Sequence, residues 1–313
     1  DLADLRRTHA AWSARTERER NLVKLGVALR GPRQTNVDVF DQEMRAAREL
    51  GLPVIFHGGQ SIRSTASTAD LKAKGYMTRD LTLVHFLLAT EADRRNMAEA
   101  GVSLSYTVDG EQRQRVGVAG EQLLLMVHAG VNVTLSFDGN SISPVDLFSS
   151  MREAWNMGMP KDGTATEKLE GLDFRQCLAM GTINGAKALG LEKVTGSLTP
   201  GKRADVILVR ADDLNMAPFG NVECALVRSA TAANVDTVVI DGRIMKRGGR
   251  LAGVDAEAVK RAAAFAAADD CGRKETRAAS ASTYRRSCAG TPAVNVRARE
   301  IDRKSTRLNS SHT

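Results

Sequence analysis

Between residues 22 and 140, short apolar runs alternate with stretches whose apolar positions recur at helical spacing. LVKLGVAL (22–29), PVIFH (53–57), LTLVH (81–85), VSLSY (102–106) and VNVTLSFD (131–138) are predicted strands. VDVFDQEMRAAREL (37–50) is a predicted helix ending at Gly51, and EQLLLMVHAG (121–130) is another. TEADRRNMAEA (90–100) has a threonine cap, acids in its first turn and Gly101 to close it. The apolar runs finish near 29, 57, 85, 106 and 138, at intervals of 28, 28, 21 and 32 residues. That is the period of a βα unit, and it predicts a parallel sheet covered on both faces. An eight-stranded barrel allots roughly 30 residues to each unit, so with five visible a closed barrel needs about three more. A doubly wound open sheet fits the same pattern.

The period changes after DFRQCLAMGTINGAKALGL (173–191), which reads as one amphipathic helix ended by Gly190. GSLTPGKRADVILVRADD, NVECALVRSAT and VDTVVIDGRIMKRGGRL then read as short β segments joined by Gly-rich turns, with DGR (241–243) as a hairpin turn. AVKRAAAFAAADD fits a terminal helix. From Cys271 onward the chain is rich in Ala, Arg and Ser and lacks periodicity, which predicts disorder. Its ending, DRKSTRLNSSHT, resembles translated vector sequence and is set aside from the fold.

Charge alters this picture little. Residues 256–313 hold 12 Lys and Arg against 6 Asp and Glu, whereas residues 1–255 hold 32 against 31. The basic balance belongs to the tail, so a nucleic-acid partner is not expected. Aromatic residues make up 4% of the chain, and Trp12 and Trp155 are too far apart in sequence to define a stacking platform. No run of eighteen apolar residues predicts a membrane span, and no leader pattern opens the chain. Cys177, Cys224, Cys271 and Cys288 show no CxxC spacing, a reduced, cytoplasmic pattern.

Three residues that could do chemistry close predicted strands: His57, His85 and Asp138. In parallel α/β folds the carboxyl ends of the strands are where ligands bind. A single histidine there reads as a packed structural one. Two histidines and an aspartate, each ending its own strand, suit a zinc or iron centre that activates water, with Asp138 able to take the proton. Other candidates carry less. GSLTPGKR (196–203) nearly spells a phosphate-binding loop, but Arg203 replaces the Ser or Thr and a strand follows where a helix is needed. His128 at a helix end reads as structural, and His9 as surface. Asp109 and Glu111, in the loop after VSLSYTV, could face a substrate but read first as a solvated loop, and Asn184 and Lys187 as helix packing and surface.

The stretch LAMGTINGAKALGLEKVTGSLTPGKRADVILVRADD (178–213), followed by NVDTVVIDGRIMKRGGRL, resembles the metal-dependent amidohydrolases, in the branch of cytosine and guanine deaminases and triazine hydrolases. LSFDG (135–139) is similar to the strand-eight aspartate motif of that family, and PVIFH and LTLVH to its strand-five and strand-six histidines. The resemblance covers roughly residues 15–255. It implies a (β/α)8 TIM barrel with a β-sandwich built from both chain ends. Residues 1–191 would hold about the last five βα units, 192–255 part of the sandwich, and 256–313 a terminal helix and a non-native tail. It implies a divalent metal, zinc before iron, with His57 and Asp138 as ligands. Asp138 would also be the general base, and His85 would contact the metal-bound water or polarise the substrate. The implied reaction is attack of metal-bound hydroxide on a non-peptide carbon–nitrogen bond of a small cyclic substrate.

Two departures shape the expectation. The family's strand-one HxH pair is absent: none of His9, His57, His85, His128 and His312 are separated by one residue. The chain opens without methionine inside a predicted helix, so on the order of 100 residues of barrel are expected to precede it. Metal binding by this chain alone is therefore expected to be weak, and the chain is expected to be an inactive or impaired fragment. Deaminases of this branch often carry HxxE after strand five, where the Glu shuttles protons. Here the fourth position is Gln60, which can bind a substrate but cannot cycle a proton. That favours a general C–N hydrolase over a nucleobase-like deaminase, the alternatives being that deaminase or a non-catalytic interaction protein without metal. The expected partner is a small molecule, with no nucleic acid and no membrane, and assembly into a homo-oligomer is allowed.

Overall fold

Five parallel strands form the first sheet, in the spatial order of the chain: β1 (Val27–Ala28), β2 (Val54–His57), β3 (Leu81–Val84), β4 (Ser103–Tyr106) and β5 (Asn132–Leu135). The structure is a computed structural model that describes residues 2–59, 65–113, 119–139 and 143–266. Residues 1–252 belong to one compact unit and 253–313 to a second. Of the second, 256–266 is helical, with the Asp255 carboxylate accepting from the Ala258 N–H at 3.0 Å. The predicted disorder from Cys271 onward lies outside the described residues.

Register explains the core. Phe56, Leu83, Leu104 and Val133 lie side by side across four strands and share one face with Val54, Leu81 and Tyr106. All of these are buried, against the helices that separate the strands. The other face carries Ile55, Thr82, Ser103, Ser105, Asn132 and Thr134, smaller and more polar, of which Ile55, Thr82, Ser105 and Thr134 border a groove of about 400 Å³ shared with Ala28 and Leu189. One face is thus a helix-packed core, and the other borders the groove. The strand expected over 22–29 shrinks to Val27–Ala28, because a capping box at Thr16 and Glu19 starts a short helix, Glu17–Leu22, that takes its first residue.

The helices follow the capping signals closely. Val37–Glu49 and Glu91–Ala100 match the predicted spans, the latter with the Thr90 hydroxyl accepting from the Asp93 N–H and the Asp93 carboxylate accepting from the Thr90 N–H. Partial burial raises the Asp93 pKa, but hydrogen bonds from Thr68 and Thr90 outweigh it and hold the carboxyl below the ordinary Asp value. A depressed folded pKa contributes stability above the unfolded value and loses it as pH falls through the folded one. Thr90→Ala is expected to cost about 1 kcal/mol. Asp93→Asn is expected to flatten the fall in melting temperature below about pH 4, both read by thermal denaturation across pH.

The expected single helix over 173–191 is two, Phe174–Met180 and Ile183–Ala188. The break falls at Thr182, whose backbone leaves the helical region, and Gly181 before it packs closely on Met151, a Cβ there standing 2.7 Å from the sulfur. The second piece turns toward β5, where the Asn184 amide donates to the Val133 carbonyl at 3.0 Å and covers a strand edge. Asn184 thus does more than the helix packing expected of it.

A four-stranded antiparallel sheet follows, in the order β6 (Val206–Val209), β7 (Val235–Ile240), β8 (Arg243–Arg247) and β9 (Arg250–Leu251). Asp241 and Gly242 both have positive φ, 51° and 74°, the signature of the tight hairpin turn expected at DGR. GSLTPGKR is a turn into β6 whose Lys202 ammonium is taken up locally by Ser197 and Thr195. NVECALVRSAT is not β structure as expected. Asn221 caps a helical turn, Val222–Cys224, which continues as a π-helical turn, Ala225–Ser229. Docking decides this: Arg152 donates to the carbonyls of Arg228 and Ala230, and the Arg228 guanidinium lies over the Trp155 ring. Among the described residues, no helix is long and apolar enough to cross a membrane.

Candidate active site

His57 is the last residue of β2, in register with Val84, and shares the groove face with Ser105 and Thr134. It is exposed rather than packed among the core side chains, which removes the reading of a satisfied core histidine. Strand alternation alone would send His85, two residues after Leu83, to the opposite, core face. The backbone prevents this: φ is 69° at His85 and 51° at Phe86. With the alternation broken, the His85 ring stacks on His57, centroids 5.2 Å apart and planes within 4°. Gly58 makes the junction feasible, since a Cβ there would lie 2.8 Å from Phe86 Cβ and Cγ.

Asp138 lies three residues beyond β5 and is also left-handed, φ 59°. Of four non-glycine residues with positive φ among those described, three are His85, Phe86 and Asp138, and the fourth sits in the hairpin turn. Such conformations cost about 1–3 kcal/mol each and gather at functional sites. The three side chains singled out from sequence meet at one end of the parallel sheet, where His85 stacks on His57 and the Asp138 carboxylate acts on it. His57 feels both neighbours. Loss of hydration lowers its pKa, the charge of His85 lowers it further, and the Asp138 carboxylate opposes both. A histidine kept neutral to lower pH retains the lone pair that a metal ligand needs.

The role the sequence reading missed is that of Glu111. Instead of a solvated loop, Val108–Arg113 is a short helix, and Glu111 is fully enclosed beneath His85. Its Oε1 accepts from His85 Nδ1 at 2.8 Å, from the Thr107 hydroxyl at 3.0 Å and from the Thr107 N–H at 3.3 Å. The spacing of Thr107 and Glu111 around a strand end was the available signal, a backbone N–H and a carboxylate one helical turn apart. Asp109 is half-buried, its pKa raised by burial and then by Glu153. Gln60 lies outside the described residues. His128 is structural as expected, its Nε2 2.8 Å from the Glu170 carbonyl. Cys177 is buried, with its thiol pushed up to about 12 by that burial, and so is no nucleophile.

Among the described residues, no group of three His, Cys, Asp or Glu side chains is gathered to hold a metal ion. A catalytic zinc centre takes about three protein ligands. His57 and Asp138 match two in type, so the described residues do not complete such a centre. After exhaustive dialysis at neutral pH, zinc retained by the chain is expected to fall well below one ion per molecule by atomic emission. A full equivalent would show that other groups complete the set.

Comparison with known proteins agrees with this geometry. The chain is 35% identical over 196 residues to a 5-methylthioadenosine/S-adenosylhomocysteine deaminase of Desulforudis audaxviator, a match spanning 62% of this chain and 44% of that relative. An adenosine deaminase from Xanthomonas campestris, solved with bound zinc, superposes with a TM-score of 0.74 at 25% identity, over 88% of this chain and 61% of that one. A mutant of atrazine chlorohydrolase from Arthrobacter aurescens TC1, complexed with zinc and atraton, shares the fold with a TM-score of 0.66 at 21% identity, over 77% and 54% of the two chains. The chain thus spans less than half the length of the curated relative and little more than half of the solved ones. The model of the amidohydrolase family matches residues 2–245, well over half of the 313 residues, and the chain belongs to that family.

Proposed function

We propose that this chain carries one wall of the active site of a hydrolase that breaks non-peptide carbon–nitrogen bonds in a small cyclic substrate. In this reading the parallel sheet is the last five units of an eightfold barrel, within residues 1–191. The antiparallel sheet, within 192–255, is part of a composite β-sandwich, and 256–313 is a helix and tail. His57 and Asp138 hold a divalent ion together with ligands from outside the described residues. Asp138 also accepts a proton, His85 acts on the attacking water or the substrate, and Gln60, by its place in the sequence, binds substrate. One observation supports the reading above the rest: the left-handed residues His85 and Asp138 both act on His57 at one end of the parallel sheet, one by stacking and one by charge. A second reading, removal of the amine from a purine-like ring, is favoured by the deaminase names of the relatives.

The test is a chimera in which this chain replaces the region it matches in the Desulforudis audaxviator deaminase. Ammonia release from 5-methylthioadenosine would support amine removal. Turnover of a triazine or pyrimidine alone would support the broader hydrolase. A folded, zinc-loaded chimera that hydrolyses none of these would overturn both. The chain by itself is expected to release no ammonia.

A further inference from the structure

The buried pair under His57 is built in a way that stability does not explain. His85 is 1% exposed at its side chain and Glu111 0%. All the hydrogen bonds that Glu111 receives fall on Oε1, and among the described residues no partner reaches the buried Oε2. A buried carboxylate with an unmatched oxygen is expensive, and a neutral side chain of the same shape would be cheaper there. What the carboxylate does is set the proton on the imidazole. A carboxylate oxygen only accepts, so Nδ1 must be the protonated nitrogen. The Thr107 hydroxyl, 3.0 Å from both Nδ1 and Oε1, donates to the carboxylate and closes the set.

We infer that Glu111 is a positioning residue that locks His85 in its Nδ1–H tautomer. The second ring nitrogen, Nε2, is then left as a lone-pair acceptor on a ring stacked against His57. This separates the two roles His85 could play. A lone pair can take a proton from water, whereas polarising a substrate oxygen or nitrogen requires a donor. The inference rests on the hydrolase reading only for that use of Nε2.

The test reads the tautomer directly, on the full chain with chelator present and no substrate. Histidine side-chain nitrogens labelled with ¹⁵N are observed well above the ordinary histidine pKa, and His85 is assigned by the loss of its signals in His85→Gln. Expected is a pyrrole-type Nδ1 and a pyridine-type Nε2. Glu111→Gln keeps a carbonyl oxygen available at the Oε1 position and is expected to preserve the pattern. Thr107→Val leaves the carboxylate and should preserve it too. Glu111→Leu removes the acceptor and should lose the pattern, moving the proton largely to Nε2. An Nε2–H tautomer in the unmodified chain would overturn the inference, as would an unchanged pattern in a folded Glu111→Leu variant. Should that variant fail to fold, the unmodified chain and Glu111→Gln still decide. No hydrolysis enters the measurement, so a failed chimera leaves its outcome untouched.

Discussion

Asp138→Asn, introduced into the chimera described above, is expected to lower ammonia release by on the order of 10³-fold. The substitution is nearly isosteric, and Asn tolerates the left-handed backbone at φ 59° at least as well as Asp. Folding should therefore survive, and the melting temperature should stay close to that of the unsubstituted chimera. What disappears is the negative charge near His57 and the oxygen that accepts a proton. With that charge gone, the two effects that lower the His57 pKa, lost hydration and the charge of His85, are no longer opposed. A rate within tenfold of the unsubstituted chimera, with normal folding, would remove Asp138 from the proposed machinery. A matched loss of activity and structure would show only that the loop after β5 needs the carboxylate to fold.

Leu104→Ala should produce the largest change in stability. Leu104 is fully buried on β4, in register with Leu83 on one side and Val133 on the other. Shortening it removes apolar contact and leaves a cavity that the paired strands cannot collapse around, at a cost of about 3 kcal/mol. For a unit of this size the melting temperature should fall by about 10 °C. Thr82→Val, on the groove face, is nearly the same shape and should change it far less. If the two variants melted together, the assignment of core and groove faces would be wrong. These predictions also separate the site from the scaffold: Asp138→Asn changes rate without stability, and Leu104→Ala does the reverse.

Much of the chain was legible locally. The five-residue apolar runs marked β2 to β4 within a residue, while the run over 131–138 overshot the end of β5 by three; helix caps at Thr90, Asp93, Asn36 and Gly101 punctuate the stretches between. The Asp-Gly hairpin was equally readable, since few other residues adopt positive φ. Misreadings occurred where packing overrides local preference. NVECALVRSAT is rich in strand-forming residues, yet Arg152 and Trp155 hold it as helical turns. The stretch with continuous helical spacing over 173–191 breaks at Thr182, whose backbone leaves the helical region just after Gly181 packs against Met151.

The site divides in the same way. Sequence by itself determined that His57, His85 and Asp138 stand at or shortly after the ends of strands, because strand ends follow from the local pattern of apolar residues and turns. It also determined that Gln60 offers no acid and that no HxH pair is present, which are matters of identity alone. Only the tertiary structure decided that His85 leaves the core face to stack on His57, since a left-handed φ is a property of the folded backbone and not of a histidine. Only it placed Glu111 beneath that ring, 26 residues further along the chain. Which strands lie side by side brings such residues together, and no local signal in either segment records it.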